Sequence, residues 1–330
     1  MLARPNLNQQ EVLEKMDLLG KQQIPFLFIL DFELQKPFVV PLDALEKNDL
    51  LYNLDGFTNC NASKTPTKQQ VNLKTQPISF QEYDKSFQLI RDHLINGNSY
   101  LVNLTHPTPI SLNIPLKDVY LRSDARFKLW VKDEFVVFSP ELFIKTKNNV
   151  IFSYPMKGTI DATEENAAQK VLSNPKELAE HNTIVDLIRN DLNRVSKKVA
   201  VNKFRYIDKI KTHKGELLQV SSDISGQLPD NWQHRCGKIL FDLLPAGSIS
   251  GAPKKKTVAI IKEAEKYTRG YYTGVFGVFD GENILSAVMI RFIEQTNFGL
   301  VFKSGGGITI HSNPYTEYME LIQKVYVPII

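Results

Sequence analysis

Several stretches of the chain mix apolar and polar residues in the way typical of amphipathic helices. One of them starts near Ser79, a suitable N-cap, and ends at Gly97. In another, Asn174 is a candidate N-cap and Pro175 takes the first helical position, where a missing N–H is tolerated. The pattern predicts helices over 9–20, 79–97, 174–195, 254–266 and 313–329.

Shorter apolar runs bounded by turn residues predict strands. Two runs fall within residues 25–42, and four more follow one another between 127 and 156, as in a meander. The runs 271–280 and 283–295 flank a Gly-Glu pair and predict a hairpin. Further strands are predicted over 99–110 and over 299–310, the latter with a glycine break.

The polar stretch 53–76 is rich in Asn, Thr and Lys, and it predicts a loop with little core. Neither an internal repeat nor a linker of the kind that separates domains is visible. Many strands and several helices without a regular βαβ alternation predict an α+β fold.

Composition narrows the function classes. The chain has 330 residues, of which 42% are hydrophobic and 23% charged, as in an ordinary globular protein. Forty basic and 36 acidic residues give a net charge of +4, and the longest basic run is Lys254–Lys256. Charge therefore does not indicate nucleic-acid binding, but it suits a small anionic substrate. Cys60 and Cys236 have no metal-type spacing and predict neither a zinc site nor a disulfide framework.

The early part of the chain carries no sign of a membrane segment. Its first residues are polar and lack an apolar signal core. The most apolar early stretch is interrupted by Asp31, Glu33 and Lys36, so it does not predict a membrane span. We expect no membrane association and a cytoplasmic location.

Two pairs of glutamates stand near predicted helix starts. Glu177 and Glu180 share one helix face, and Glu317 and Glu320 share another, because each pair is three residues apart. Should the two starts converge, four carboxylates would need a cation between them, and oxygen-only ligands favour Mg²⁺ or Ca²⁺. The alternative is that glutamates simply favour first turns because of the helix dipole.

Two glycine-rich segments are further candidates. The segment 245–257 leads into a predicted helix, whose backbone amides would suit a carboxylate or phosphate, although it is not a Walker loop. The segment Lys303–Ile308 places three glycines in a strand pattern, which indicates close approach of a ligand or of another backbone. A tight turn in the first segment and a flexible turn in the second remain alternatives.

Lys157 lies in the middle of the stretch Tyr154–Ile160, which has the pattern of a buried strand end followed by a turn. A lysine is a nucleophile only when neutral, and its ordinary pKa is about 10.4. Burial or a nearby cation lowers that pKa. Lys157 is therefore a candidate nucleophile, and the alternative is a surface lysine whose ammonium stays in water.

Taken together, nine segments in one order resemble the chorismate-utilising enzymes, and most closely their aminodeoxychorismate synthase (component I) branch, which makes the precursor of 4-aminobenzoate for folate. The resemblance covers roughly residues 80–330. The segments are SYLVNLT, SPELF, PMKGTI, ELAEHNTIVDLIRNDLNRV, LPAGSISGAPK, RGYYTGVFG, MIRF, SGGGI and EYMELIQK. One such segment alone is weak, whereas nine in order favour the functional interpretations over their alternatives.

The resemblance implies a fold of two large, mostly antiparallel sheets stacked face to face, with helices on the outside and the site in a cleft. It implies a single chorismate-binding domain over residues 1–330, in which 1–77 form a short portion of weaker resemblance. That portion lacks a convincing counterpart of the tryptophan pocket of tryptophan-producing relatives, and it would pack as edge strands on one sheet.

The resemblance also implies roles for individual residues. Glu177, Glu180, Glu317 and Glu320 would hold one Mg²⁺, with Glu180 and Glu320 as the direct ligands, and the metal would bind the ring carboxylate of chorismate. The implied substrate-binding residues are Thr159, Ser248, Tyr272, Arg291, Gly305, Gly306, Gly307 and Lys324.

The implied reaction starts with neutral Lys157, which attacks ring carbon C2 while Glu141 protonates the departing C4 hydroxyl. Ammonia then attacks C4 and expels the lysine, which gives 4-amino-4-deoxychorismate. Burial and Mg²⁺ would keep Lys157 neutral. No amidotransferase signature surrounds either cysteine, so the ammonia would come from a separate glutamine amidotransferase subunit.

Three positions depart from the family pattern. Leu101 stands where glutamine is usual, Gln219 where histidine is common, and Tyr271 where proline is usual. Alternatives are anthranilate or isochorismate formation, or a catalytically weak chorismate-binding subunit. Lys157 argues against the first, since anthranilate synthases carry a small residue there. Leu101 argues against the second, since isochorismate-forming relatives carry a lysine there. Gln219 is the feature that favours weak catalysis.

Overall fold

The computed structural model describes residues 7–60, 70–212 and 215–329. Each predicted helix is present, and the Asn174 side chain accepts a hydrogen bond from the Glu177 N–H at 3.2 Å, which confirms the predicted cap. The last helix ends earlier than predicted. The helices are α1 Gln9–Lys21, α2 Phe80–Ile95, α3 Leu116–Arg122, α4 Ala167–Ser173, α5 Pro175–Val195, α6 Cys236–Leu243, α7 Gly247–Ser250, α8 Lys254–Glu265 and α9 Pro314–Gln323.

The strands form two sheets. The first has the order β11-β13-β10-β9-β16-β15-β1-β2, with β12 paired to β13. Its strands are β1 Phe26–Leu30, β2 Phe38–Pro41, β9 Leu142–Lys147, β10 Val150–Ser153, β11 Met156–Asp161, β12 Lys197–Thr212, β13 Gly215–Gln227, β15 Val275–Phe279 and β16 Ile284–Val288.

The second sheet has the order β14-β6-β18-β17-β8-β7-β3-β4, with β5 paired to β6. Its strands are β3 Leu50–Leu54, β4 Phe57–Thr58, β5 Leu73–Thr75, β6 Leu101–Leu112, β7 Phe127–Val131, β8 Phe135–Ser139, β14 Gly251–Ala252, β17 Phe292–Thr296 and β18 Gly299–Ile308. Within the described ranges, the strand pairs of both sheets are antiparallel.

An apolar layer packs between the two sheets. Ile29 and Phe276 reach it from the first sheet, whereas Leu129 and Val137 reach it from the second. A larger cluster includes residues of the helices, with Met16 of α1 and Phe87 of α2 fully buried in it. The fold is therefore α+β with two stacked antiparallel sheets and helices outside, as predicted.

The chain changes sheets where the sequence suggested continuity. The four strands of the predicted meander divide between the sheets, because β7 and β8 belong to the second and β9 and β10 to the first. The second strand of the predicted hairpin is likewise two strands, β16 and β17, which lie in different sheets. Both expectations of continuity are wrong, since an apolar run has the same pattern in either sheet.

Two further expectations are corrected. The glycines of β18 do not break the strand, since Gly305, Gly306 and Gly307 pair with Thr105, Leu104 and Asn103 of β6. The predicted loop 53–76 contains the short strands β4 and β5, and its residues 61–69 lie outside the described ranges.

The early segment contributes to both sheets. Strands β1 and β2 end the first sheet, and β3 and β4 end the second, so the expectation of edge strands on one sheet is wrong. The assignment of residues 1–330 to one domain stays a prediction. Among the described residues, we find no helix whose length and apolar character would let it cross a membrane.

Acid should weaken the fold through His106 of β6. Burial lowers the pKa of this imidazole to about 4, whereas the unfolded chain binds a proton near 6.5. Its contribution to stability is therefore complete above pH 6.5 and is lost as pH falls towards 4. We expect His106→Phe to reduce the loss of unfolding free energy between pH 7 and pH 4.5 by about 2 kcal/mol.

Urea unfolding at the two pH values measures this difference. His311→Asn, at an exposed position, is the matched control and should behave like the wild type. An equal loss of stability in His106→Phe and in the wild type would contradict the assignment.

Candidate active site

One cavity of about 240 Å³ brings together residues that are far apart in sequence. It lies where β6 and β18 of the second sheet meet β11 of the first, beside α9. The predicted residues that line it are Glu141, Lys157, Thr159, Ser248, Tyr272, Arg291, Gly305, Gly306, Gly307, Glu320 and Lys324. All the proposed catalytic and substrate-binding residues therefore border one space.

The glycines of β18 make room in this cavity. A methyl group built on Gly306 would lie 3.5 Å from Lys324 Nζ, 3.6 Å from Glu320 Oε1 and 3.7 Å from Glu317 Oε2. A methyl group on Gly307 would lie 3.4 Å from Lys157 Nζ and 3.9 Å from Glu180 Oε2. The strand therefore leaves space for ligand atoms between charged groups that come from α5, α9 and β11.

The helices α5 and α9 bring Glu180, Glu317 and Glu320 to this strand and Glu177 to the neighbouring β11. Glu180 and Glu317 are buried, with 5% and 4% of their surfaces exposed. A methyl group on Gly158 would lie 3.4 Å from Glu177 Oε2, which places Glu177 beside the segment that carries Lys157. Carboxylates that lie close together in a partly buried site repel one another, so nearby positive charge is needed to balance them.

Two lysines supply positive charge to this carboxylate cluster, defined by Glu177, Glu180, Glu317 and Glu320. Lys157 donates to Glu180 Oε2 at 2.8 Å. Lys324 donates to Glu320 Oε1 at 2.6 Å and to the Gly305 carbonyl at 2.7 Å. The two glutamates expected to be direct metal ligands are therefore both ion-paired in this structure.

The local backbone aims Lys157 at the cluster. Lys157 lies in β11, which refines the expectation of a strand end followed by a turn. The pairing of β11 with β13 shifts register between Met156 and Thr159. Gly158 has a φ of 84°, a conformation that glycine adopts readily and other residues rarely do. This irregularity lets Lys157 leave the regular alternation of the strand.

The charge state of Lys157 differs from the expected neutral amine. Burial, the largest single influence, lowers the pKa of the amine, but the carboxylates of Glu180, Glu177 and Glu320 together raise it above the ordinary value. The opposite result holds for Lys324. Burial lowers the pKa of its amine below the ordinary value, although Glu320 acts to raise it. Burial alone therefore does not neutralise Lys157, because the nearby carboxylates favour its ammonium form. The expectation that burial and Mg²⁺ together keep it neutral stays a prediction.

The donor chemistry of the carboxylate cluster fits a hard divalent cation, because it offers only oxygen. Within the described ranges, no group of three or more His, Cys, Asp or Glu side chains already has the arrangement of a metal site. Lysine ammonium groups instead contact Glu180 and Glu320. The oxygen donors suit Mg²⁺ in their chemistry, but in this structure they are paired with lysines, and the cation-binding role stays a prediction.

Glu141 and Ser248 form a hydrogen bond on another wall of the cavity, in which the Ser248 hydroxyl donates to Glu141 Oε1. Burial raises the pKa of the Glu141 carboxyl, although this hydrogen bond and the cations Lys157 and Arg291 act in the opposite direction. A raised pKa suits a general acid, which has to be protonated to act.

The change of sheets after β16 places Arg291. This residue has a φ of 54° at the crossing between β16 and β17, and its guanidinium lies 5.3 Å from the ring centroid of Tyr326. Tyr272, which is 3% exposed, packs against Phe292 with ring centroids 5.9 Å apart. The crossing thereby brings a cation and an aromatic ring to the same cavity, where the cation would suit a carboxylate and the ring a flat unsaturated group.

The residues that depart from the family pattern also lie here or nearby. Leu101 is buried, and its Cδ1 would lie 3.0 Å from a methyl group on Gly307. Gln219 lines the cavity, and its Nε2 donates weakly to Thr159 Oγ1 at 3.5 Å. Tyr271 turns away and donates to the Lys36 carbonyl at 2.8 Å.

A buried ion pair that we did not assign from the sequence supports the cavity wall. Arg269 and Glu265 are each 1% exposed and lie 2.6 Å apart. Arg269 also donates to the carbonyls of Asn103 at 2.7 Å and Ile249 at 2.9 Å, and both of these residues line the cavity. Arg269 is part of the RGYYTGVFG segment, but its type and position alone do not distinguish a structural from a substrate-binding role.

Lys303 is a second cavity residue that the sequence motifs did not assign to the site. It lines the cavity while 5% exposed, and it donates to the Arg269 carbonyl at 2.9 Å and pairs with Glu294 at 2.7 Å. Its place shortly before the glycines was a signal, but the strand pattern does not tell which face it occupies.

Comparison with known families agrees with this geometry. The family model described as chorismate binding enzyme matches residues 26–329. The chain belongs to the chorismate-binding enzyme family. The match begins well before residue 80, so the chain resembles this family over a longer stretch than the sequence motifs indicated.

Two curated relatives are similar to this chain at different levels of sequence identity. An uncharacterized PabA-like protein of Haemophilus influenzae is 52% identical over 320 residues, which cover 97% of each chain. Aminodeoxychorismate synthase component 1 of Bacillus subtilis is 31% identical over 265 residues, which cover 76% of this chain and 55% of that enzyme.

A solved structure has the same fold as this chain. MenF, the menaquinone-specific isochorismate synthase from Escherichia coli, superposes with a TM-score of 0.74 at 14% identity, and the match covers 98% of this chain and 82% of MenF. At that identity the likeness concerns the two-sheet architecture alone.

Two neighbouring glycines should respond differently to alanine. A methyl group on Gly306 meets atoms at ordinary contact distances, so Gly306→Ala should keep the wild-type unfolding temperature but weaken chorismate binding about tenfold or more. A methyl group on Gly305 would lie 2.3 Å from the Leu104 carbonyl oxygen, so Gly305→Ala should lose about 1–3 kcal/mol of stability.

Thermal unfolding and calorimetric titration with chorismate measure both effects. Wild-type chorismate affinity in Gly306→Ala, or equal stability of the two variants, would show that the glycines do not have these separate roles.

Proposed function

We propose that this protein is an aminodeoxychorismate synthase (component I), which converts chorismate and ammonia into 4-amino-4-deoxychorismate through a covalent lysine adduct. The observation that carries the proposal is the position of Lys157. Its amine borders the same cavity as the Glu141–Ser248 pair, and the glycines of β18 line that cavity. A nucleophile and a general acid in one cavity match the two groups that the first half of the reaction requires.

Chorismate carries two carboxylates, and the cavity offers cations for them. Arg291 and Lys324 line it, and Arg291 is held at the sheet crossing by its backbone. Tyr272 adds an aromatic surface. Binding through Arg291 and Lys324 would orient the ring so that C2 faces Lys157 and C4 faces Glu141.

The first half of the reaction forms the adduct. The neutral Lys157 Nζ attacks C2, the ring double bonds shift, and the C4–O bond breaks. Glu141 gives its proton to the departing hydroxyl, which leaves as water. In the second half, ammonia attacks C4, the double bonds shift back, and the C2–N bond breaks. The proton lost by the new ammonium returns to Glu141, and Lys157 regains its amine.

The oxygen-only donor set supports Mg²⁺ as the cofactor, held by Glu180 and Glu320 with Glu177 and Glu317 nearby. When bound, Mg²⁺ supplies positive charge for the ring carboxylate of the substrate. Lys157 has to be neutral to attack, but Glu180 keeps it protonated in the protein on its own. Catalysis therefore requires that Lys157 separate from Glu180 and lose its proton.

Ammonia in this proposal comes from a separate glutamine amidotransferase subunit. The name of the Bacillus subtilis relative, aminodeoxychorismate synthase component 1, supports a system made of more than one component. Two side chains disfavour the rival products. Lys157 stands where anthranilate synthases carry a small residue, which disfavours anthranilate. The apolar Leu101 cannot activate water, which disfavours isochorismate.

Replacing the nucleophile tests the proposal directly. Lys157→Ala should lower ammonia-dependent formation of 4-amino-4-deoxychorismate by about 10³-fold or more, because the covalent route is lost. Without ammonia, the wild type should gain the mass of chorismate less one water, whereas Lys157→Ala should not.

Lys170→Ala is the matched control, since Lys170 pairs with Glu164 at the surface, 3.2 Å away. Product mass and ultraviolet spectra distinguish aminodeoxychorismate from anthranilate and isochorismate. Unchanged turnover in Lys157→Ala would remove the nucleophile assignment.

Ser248 should tune the acid. Its hydroxyl donates to the Glu141 carboxylate and so favours the ionised form, against the rise in pKa that burial causes. In Ser248→Ala the pKa of Glu141 should rise further, so the fall of kcat/KM with increasing pH should move to higher pH.

Ser250→Ala is the control, because that hydroxyl donates to the Ala246 carbonyl at 2.9 Å. A pH profile in Ser248→Ala that shifts to lower pH, or does not move, is incompatible with Glu141 as an acid tuned by Ser248.

A further inference from the structure

The carboxylate cluster already contains cations that belong to the chain. Glu180 and Glu320, the proposed direct ligands of Mg²⁺, are contacted by lysine ammonium groups at 2.8 Å and 2.6 Å. These lysines come from different elements, Lys157 from β11 and Lys324 from the end of α9. Each lysine therefore balances a glutamate on a helix. Lys157 balances Glu180 of α5, and Lys324 balances Glu320 of α9.

The geometry makes the lysines and a metal alternatives for the same oxygens. Lys157 Nζ and Glu180 Oε2 both lie within 4 Å of the space in front of Gly307, at 3.4 Å and 3.9 Å from a methyl group built there. Lys324 Nζ and Glu320 Oε1 share the space in front of Gly306 in the same way, at 3.5 Å and 3.6 Å. A divalent ion on either carboxylate would stand close to an ammonium group, and like charges so near repel.

We infer that Lys157 and Lys324 are internal counter-cations of the carboxylate cluster, and that a divalent cation has to compete with their ammonium groups for Glu180 and Glu320. This inference rests on the proposed function, because it takes Mg²⁺ as the cation. It assigns the lysines a role in the substrate-free protein that is separate from their roles towards chorismate.

The competition has a consequence for the order of events. The side chain of Glu180 is 6% exposed and that of Lys157 is 26% exposed, and leaving a buried carboxylate without its partner is destabilising. Lys157 therefore leaves Glu180 readily only when another positive charge takes its place. The substrate-free protein holds its nucleophile in an ion pair, and cation binding removes that restraint.

Calorimetric titration of Mg²⁺ into the protein without chorismate or ammonia tests the competition. Lys157→Met keeps the approximate length of the side chain and removes its charge, so it should bind Mg²⁺ at least about tenfold more tightly than the wild type. Lys324→Met should also bind more tightly. Lys157→Arg keeps the charge and should not gain affinity. Lys170→Met, at a surface ion pair, is the matched control.

Thermal unfolding gives a second readout that does not depend on catalysis. Without Mg²⁺, Lys157→Met should unfold at a lower temperature than the wild type, because Glu180 has lost this counter-cation. Mg²⁺ should raise the unfolding temperature of Lys157→Met more than that of the wild type, since a ligand stabilises the state that it binds.

The outcomes separate this inference from the proposed reaction. Equal or weaker Mg²⁺ affinity in Lys157→Met overturns the competition, and so does a gain in Lys157→Arg as large as that in Lys157→Met. No detectable Mg²⁺ binding by any variant overturns both the competition and the cofactor assignment, while the lysine adduct is tested independently by protein mass. Tighter binding in both methionine variants with an unchanged arginine variant supports the inference.

Discussion

The ion pair between Lys157 and Glu180 is the contact on which the cleft depends, because it joins β11, at one end of the first sheet, to helix α5. It also fixes the electrical state of the site. Glu180, Glu317 and Glu320 approach the glycines of β18, and Glu177 lies beside Gly158 of β11. Glu180 and Glu317 are buried, and burial favours their ionised forms only where a cation is near. Lys157 is therefore part of the charge balance of the site, and the same contact that orders the site favours its ammonium form.

The backbone of β18 makes this concentration of charge sterically feasible. Its glycines continue the pairing with β6, so the strand stays in the sheet while it presents no side chains to the cavity at Gly306 and Gly307. Charged groups from β11, α5 and α9 then approach these two positions. The Arg269–Glu265 pair fixes the Asn103 carbonyl and the Ile249 carbonyl, so another part of the cavity wall is also held in place.

Local rules predict the helices and most strand positions, because caps such as Asn174 and apolar runs act over a few residues. They do not predict which sheet a strand joins, since β8 and β9 have similar patterns and yet lie in different sheets. The position of Arg291 follows from such a crossing, so the motif indicated the residue but not its geometry. The charge of Lys157 was also beyond sequence reasoning, because burial and three carboxylates act on it in opposite directions.

The side chains around Lys157 bear on which nucleophile the proposed reaction uses. Leu101 packs beside Gly307, close to the Lys157 amine, and an apolar side chain there neither orients nor deprotonates a water molecule. Gln219 reaches Thr159 at 3.5 Å, and an amide is a poor base at neutral pH. A ring carbon facing this wall would therefore meet an amine sooner than an activated water. In the proposed reaction, amine addition at this wall would depend on the apolar character of Leu101 as well as on Lys157.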